Sequence, residues 1–172
     1  MDQATRGGAA GRQPRRRAET VLGPLAIGGA TLAVAVAGGI TADFRSAWYR
    51  ALRKPAWQPS GRVIGGVWTI LYPSIALAGV LLWRTPAARR DRGLLALFGL
   101  QWALNVLYTP LLTRRRSLAL AALDCGALAA AVWLLVGKAF PIRPLAGALL
   151  APYALWTTFA TALSLALLRR NA

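Results

Sequence analysis

Five long apolar runs, separated by short clusters of arginine and lysine, make up almost the whole chain after residue 20. They cover residues 21–42, 63–83, 93–113, 117–137 and 145–168. Each is close to the roughly 20 residues a helix needs to cross the hydrocarbon core of a bilayer. Only the fourth carries a charged side chain in its body, Asp124. The pattern predicts an all-α membrane protein, a five-transmembrane-helix bundle and single domain over residues 21–170. Residues 1–20, rich in glycine and arginine, read as a disordered basic tail. The first run follows Arg15-Arg16-Arg17 as a signal peptide would, but it exceeds the roughly 7–15 residues of a signal core and is read as a span.

The longest connection between runs, residues 43–62, is dense in aromatic and basic residues. Its stretch 46–55 predicts a short helix lying in the membrane interface, ended at Lys54-Pro55 because the residue before a proline avoids helical geometry. Trp48 and Tyr49 suit an interfacial aromatic belt. Trp57, held between Pro55 and Pro59, is placed to cover the mouth of the bundle. Pro24, Pro73, Pro110 and Pro152 fall inside four of the runs and mark bends, which open space between helices.

Three runs carry faces that mix aromatic and hydrogen-bonding groups. Trp68 and Tyr72 share one face of the second; Gln101, Asn105 and Tyr108 share one face of the third. Tyr153, Trp156, Ala160 and Ser164 fall on one broad face of the fifth. Amides avoid lipid, because unpaired donors and acceptors there are costly, so these faces either tie helices together or line a small-molecule pocket. Asp124 is a candidate functional carboxylate by the same reasoning. Small residues at four-residue spacing, Gly29-Ala33-Ala37 and Gly99-Ala103, allow close helix approach within the bundle or between copies.

Composition narrows the chemistry. The chain has no histidine, one cysteine (Cys125) and one methionine (Met1). This excludes His-ligated haem, common zinc sites, an intramolecular disulfide and His-based nucleophilic catalysis. A net charge of +16 would point to nucleic acid in a soluble protein. Between apolar spans the same residues meet anionic headgroups, so the expected partner is the lipid bilayer and no nucleic acid is expected. The basic residues divide almost evenly between the two faces, so the positive-inside rule assigns no orientation. Abundant Ala, Leu, Gly and Arg suit a multi-pass protein of a bacterial cell membrane.

Four short motifs, in order, resemble the TspO/MBR family of translocator proteins and tryptophan-rich sensory proteins. They are Trp48-Tyr49 with Lys54-Pro55-Ala56-Trp57-Gln58-Pro59, Val67-Trp68-Thr69-x-Leu71-Tyr72, Gln101-x-x-Leu104-Asn105 followed by Pro110, and Pro152-Tyr153-x-x-Trp156-x-x-Phe159-Ala160-Thr161. The resemblance implies a five-helix bundle, usually a homodimer, with a pocket beneath the first loop. It implies a ligand such as protoporphyrin IX or a related tetrapyrrole, with no required cofactor and no metal. Trp57 and Trp156 correspond to pocket tryptophans implicated in porphyrin handling, including light- and oxygen-dependent breakdown; they are the catalytic candidates. Trp48, Lys54, Pro55, Trp68, Tyr72, Gln101, Asn105, Tyr108, Asp124, Tyr153 and Ala160 complete the expected ligand-binding set. Arg53, Lys54 and Arg62 suit the propionates. The chain departs from the family pattern at Ser60, Tyr108, 111–113 and Ser164, and lacks the animal sterol motif at the end of the fifth run, so sterol is not the expected ligand. No general acid, nucleophile or metal set stands out, and the chain reads as a binder rather than a conventional enzyme. The alternative is a transporter of a small amphipathic solute with Asp124 as its proton site.

Overall fold

The computed structural model describes the backbone of residues 12–41 and 43–172, and side chains from Val21 onward apart from residue 42. The described residues form seven helices: α1 (Arg12–Thr41), α2 (Ala47–Ala51), α3 (Gly61–Trp83), α4 (Pro86–Arg90), α5 (Arg92–Thr113), α6 (Leu118–Ile142) and α7 (Pro144–Asn171). Five are long and apolar enough to cross a membrane: α1 over Val21–Thr41, then α3, α5, α6 and α7.

Local chemistry sets the boundaries. Ser60, Asp91 and Ser117 each accept a bond from the backbone N–H three residues on, capping α3, α5 and α6. Arg143 is extended because Pro144 follows it, and this single residue ends α6 and starts α7. The fourth span therefore runs to Ile142, past the expected end at 137, and takes in Pro141, so every span holds a proline. Between α5 and α6, Arg116 adopts a left-handed backbone (φ 52°). The turn closes with Arg115 N–H bonded to the Pro110 carbonyl and Ser117 N–H to that of Leu111.

Two expectations need correction. Residues 12–20 of the expected tail are helical, continuous with α1; once the span is nucleated, the good helix formers Arg15, Arg16, Arg17, Ala18 and Glu19 propagate it at little cost. Residues 1–11 lie outside the described residues. The interfacial helix α2 is five residues long, not ten. It stops at extended Leu52 because the backbone of Arg53 is bonded elsewhere, as described below.

The spans close a ring in the order α1–α3–α7–α6–α5, with α5 returning to α1. The α6–α7 pair packs most closely, since alanines 121, 122, 129, 131 and 139 of α6 and Ala146, Gly147 and Ala154 of α7 are buried. Outward positions are apolar too: Leu25, Leu32, Ile40, Ile70, Leu123, Leu134 and Leu155 are exposed. Helices apolar on both sides belong in lipid. One face of the bundle holds the 43–60 loop, the Arg114–Ser117 turn and the end of α7; it is called the mouth. The far face holds α4 and Arg143.

A candidate ligand site beneath the first loop

At the centre of the ring, polar side chains from three helices form a continuous chain of hydrogen bonds. The Tyr72 hydroxyl donates to Asn105 Oδ1 (3.3 Å), and Asn105 Nδ2 donates to the Tyr153 hydroxyl (3.0 Å). The Tyr153 hydroxyl donates in turn to Gln101 Oε1 (3.1 Å), and Gln101 Nε2 ends the chain on the Phe98 carbonyl (3.2 Å). Tyr153 is 0% exposed and Gln101 1%. Trp68 stacks on Tyr72 at 4.9 Å and meets Tyr153 edge-on at 6.0 Å. Five of the sequence-predicted residues, Trp68, Tyr72, Gln101, Asn105 and Tyr153, are thereby brought into one cluster.

Nearer the mouth, a second group joins the loop to α7. Trp57, 49% exposed, meets Phe159 edge-on at 5.7 Å. Phe159 stacks at 5.3 Å on Trp156, which packs against the bundle core. Phe159 was not singled out from the sequence, although it lies in the quoted motif; it is the ring that connects the two tryptophans. Ala160 is half-buried beside it. Tyr108 and Ser164 share a hydrogen bond of 3.0 Å between α5 and α7. Asp124 is buried on α6, and its Oδ2 has no partner among the described residues.

The loop is fixed by its own contacts. Ser46 Oγ accepts from Tyr49 N–H and caps α2. The Lys54 ammonium lies over the Tyr49 ring at 4.5 Å, a cation–π contact within the loop. Gln58 Nε2 donates to the Tyr49 hydroxyl (3.3 Å), while the buried Gln58 Oε1 has no partner among the described residues. Burial pushes the Tyr49 phenol above its ordinary 10.0, and the Gln58 bond offsets part of that rise. Pro55 is buried and Trp48 half-buried; Arg53 and Arg62 are exposed.

Sequence reasoning missed the strongest anchor. The Asn171 side chain accepts from Arg53 N–H (2.9 Å) and donates to the Arg53 carbonyl (3.1 Å), pairing with one residue's backbone as a neighbouring strand would. Its Nδ2 also reaches the Leu167 carbonyl (2.8 Å), so the loop is tied to the last turn of α7. Nothing in the pattern of a terminal Arg-Arg-Asn marks this contact, which joins residues 118 positions apart.

Residues 26–170 match the model of the TspO/MBR family. The chain is 32% identical over 146 residues to the uncharacterized membrane protein YtaB of Bacillus subtilis, covering 84% of this chain and 93% of that protein. It is 33% identical over 128 residues to the tryptophan-rich sensory protein of Cereibacter sphaeroides (72% and 77% covered). It is 31% identical over 126 residues to the human translocator protein (72% and 75%).

Proposed function

The chain belongs to the TspO/MBR family of multi-pass membrane proteins, and from that premise we propose that it binds protoporphyrin IX-like tetrapyrroles between the first loop and α7. The observation that carries the reading is the Trp57–Phe159–Trp156 series of rings, exposed at its loop end and half-buried at its helix end, where Trp156 packs against the core. A porphyrin is a broad π-face with acidic edges. Indole and phenyl rings suit the face, and exposed Arg53 and Arg62 suit the propionates. Gln58 Oε1 offers a buried acceptor at the rim. A chain without histidine favours a metal-free macrocycle over haem. Trp57 and Trp156 are the oxidisable rings nearest such a ligand, which gives light- and oxygen-dependent breakdown a place to occur. A homodimer belongs to the same reading, with Gly29 and Ala33 exposed on the outer face of α1.

The test is quenching of tryptophan fluorescence by protoporphyrin IX in detergent, first in the dark and then under light. Saturable quenching that weakens in Trp57→Phe and Trp156→Phe is expected. Quenching unchanged in the folded double variant, or equal to that of an unrelated membrane protein, refutes the reading.

The unpartnered carboxyl oxygen of Asp124 supports a second reading, proton-coupled transport of a small amphipathic solute. It requires pH-dependent flux in liposomes that Asp124→Asn abolishes.

A further inference from the structure

The far face carries a cavity that shares no residue with the mouth. It has a volume of about 170 Å³ and lies where the end of α3 and the start of α5 meet α1 and α4. Both α3 and α5 present glycine there, Gly79 and Gly99. Gly79 lets Ile27 and Phe98 close in, since a Cβ would lie 2.7 Å and 2.8 Å from them. Gly99 leaves the gap, since a Cβ built on it meets nothing within 4 Å. Leu82 and Leu94 are buried, while Leu95 and Gly99 are exposed, so the space opens on the outer side of α5, toward the bilayer.

The lining says what fits. It is almost wholly carbon, so a charged guest would lose its hydration without gaining a partner. An apolar cavity of about 150 Å³ stays dry and accepts a molecule the size of benzene. The walls are also aromatic. Phe98 and Trp102 stand edge-on at 5.1 Å and 83°, and Trp83 lines the cavity with them. A ring placed among them gains edge and offset contacts that an aliphatic guest of equal volume does not. Trp83 is the last residue of α3, which sets the cavity near the level of the membrane interface, where aromatic rings gather.

We propose that this cavity binds a neutral aromatic molecule of one ring with a short substituent, taken up from the bilayer. The site needs neither Trp57, nor the loop, nor any charged side chain. It is too small for a macrocycle, so it stands or falls separately from porphyrin binding.

The experiment is photolabelling of the full chain in phosphatidylcholine nanodiscs with phenyl(trifluoromethyl)diazirine, followed by mass spectrometry of its peptides. Labelling of Ile27, Phe98 and Trp102 is expected to saturate, and to be competed by toluene roughly threefold or more better than by methylcyclohexane, the order set by one ring–ring contact. Leu134 and Leu155, exposed on the outer face, serve as controls whose labelling rises in proportion to the reagent. Gly99→Leu puts a side chain where the space is open and is expected to abolish the saturable labelling while sparing Leu155. Phe98→Leu removes a wall ring and is expected to remove the advantage of toluene. Circular dichroism establishes that each variant is folded. Labelling of the lining residues that only tracks Leu155, or equal competition by the two hydrocarbons in the wild-type chain, overturns the proposal and assigns the space to acyl chains. Saturable labelling unaltered in folded Gly99→Leu, or a toluene advantage unaltered in folded Phe98→Leu, overturns it as well. Lining residues left unlabelled in a dimer and labelled in the monomer would overturn it too, and assign the cavity to a second copy.

Discussion

Replacing Tyr153 with phenylalanine removes one oxygen atom from the middle of the polar chain. The ring and its contact with Trp68 remain, while the Asn105 amide loses its acceptor and Gln101 Oε1 loses its donor. Both partners are buried, so neither has ready access to water. A buried group left without its partner costs about 1–3 kcal/mol, whereas hydrogen bonds between membrane helices average only about 0.6 kcal/mol by mutant cycles. Two bonds on the lower scale and two orphaned groups on the higher give a range of about 1–6 kcal/mol, and we expect about 2 kcal/mol, near the lower end, because hydrogen bonds between membrane helices measure weak. Tyr72→Phe is the control. It removes one longer bond (3.3 Å) from a half-buried ring and should cost roughly 0.5 kcal/mol. The assay is reversible unfolding in mixed micelles as the mole fraction of dodecyl sulfate rises, followed by circular dichroism. A Tyr153→Phe loss below about 0.5 kcal/mol, no larger than that of Tyr72→Phe, would refute the claim that this chain holds the three helices together.

Three further outcomes follow from other parts of the molecule. Asn171→Ala should release the loop, at about 1 kcal/mol of local stability, and trypsin should then cut after Arg53 roughly fivefold faster; an unchanged rate removes Asn171 as the anchor. At Gly79 an added Cβ would lie 2.7 Å from Ile27 Cγ2 and 2.8 Å from Phe98 Cζ. Gly79→Ala should therefore destabilise by about 1–3 kcal/mol, while Gly99→Ala, with open space around it, should be neutral or better in the same unfolding assay. Asp91 is held below its ordinary 3.8 by the Leu94 N–H and the Lys138 ammonium. A carboxyl depressed in the folded state contributes stability above its unfolded pKa and loses it as pH falls through the folded value. Wild-type stability should therefore decline below about pH 4 by a small increment that Asp91→Asn lacks, since asparagine keeps the cap but not the ion pair; identical pH profiles would contradict it.

The number, length and approximate ends of the spans were legible because a bilayer imposes one length on every crossing helix and excludes charge from it. The inward residues were legible for a related reason: amides and phenols in such helices have nowhere else to go, and Gln101, Asn105, Tyr72 and Tyr153 do meet. What escaped was decided by contacts between distant positions. The early stop of α2 depends on Asn171 taking the Arg53 backbone, and no periodicity encodes a partner at the other end of the chain. The role of Phe159 was hidden because an apolar ring on a lipid-spanning helix is unremarkable until its neighbours are known. The far-face cavity of about 170 Å³ between α1, α3, α4 and α5 was likewise invisible, since a void is the space left by many side-chain shapes and not a property of any one of them. The helical backbone of residues 12–20 shows helix propensity overriding a composition that reads as disordered.

The Asn171 anchor has a kinetic consequence. It sits in the final turn of α7, and helix ends fray. Helix–coil relaxation in short segments takes about 0.1–1 μs, so the clasp on the loop opens no more slowly than the helix end that carries it unwinds. Unwinding at the end of α7 therefore also frees the loop at Arg53. Whatever binds under the loop and holds it down will lengthen the life of that last helical turn, and whatever stiffens that turn will slow the ligand's escape.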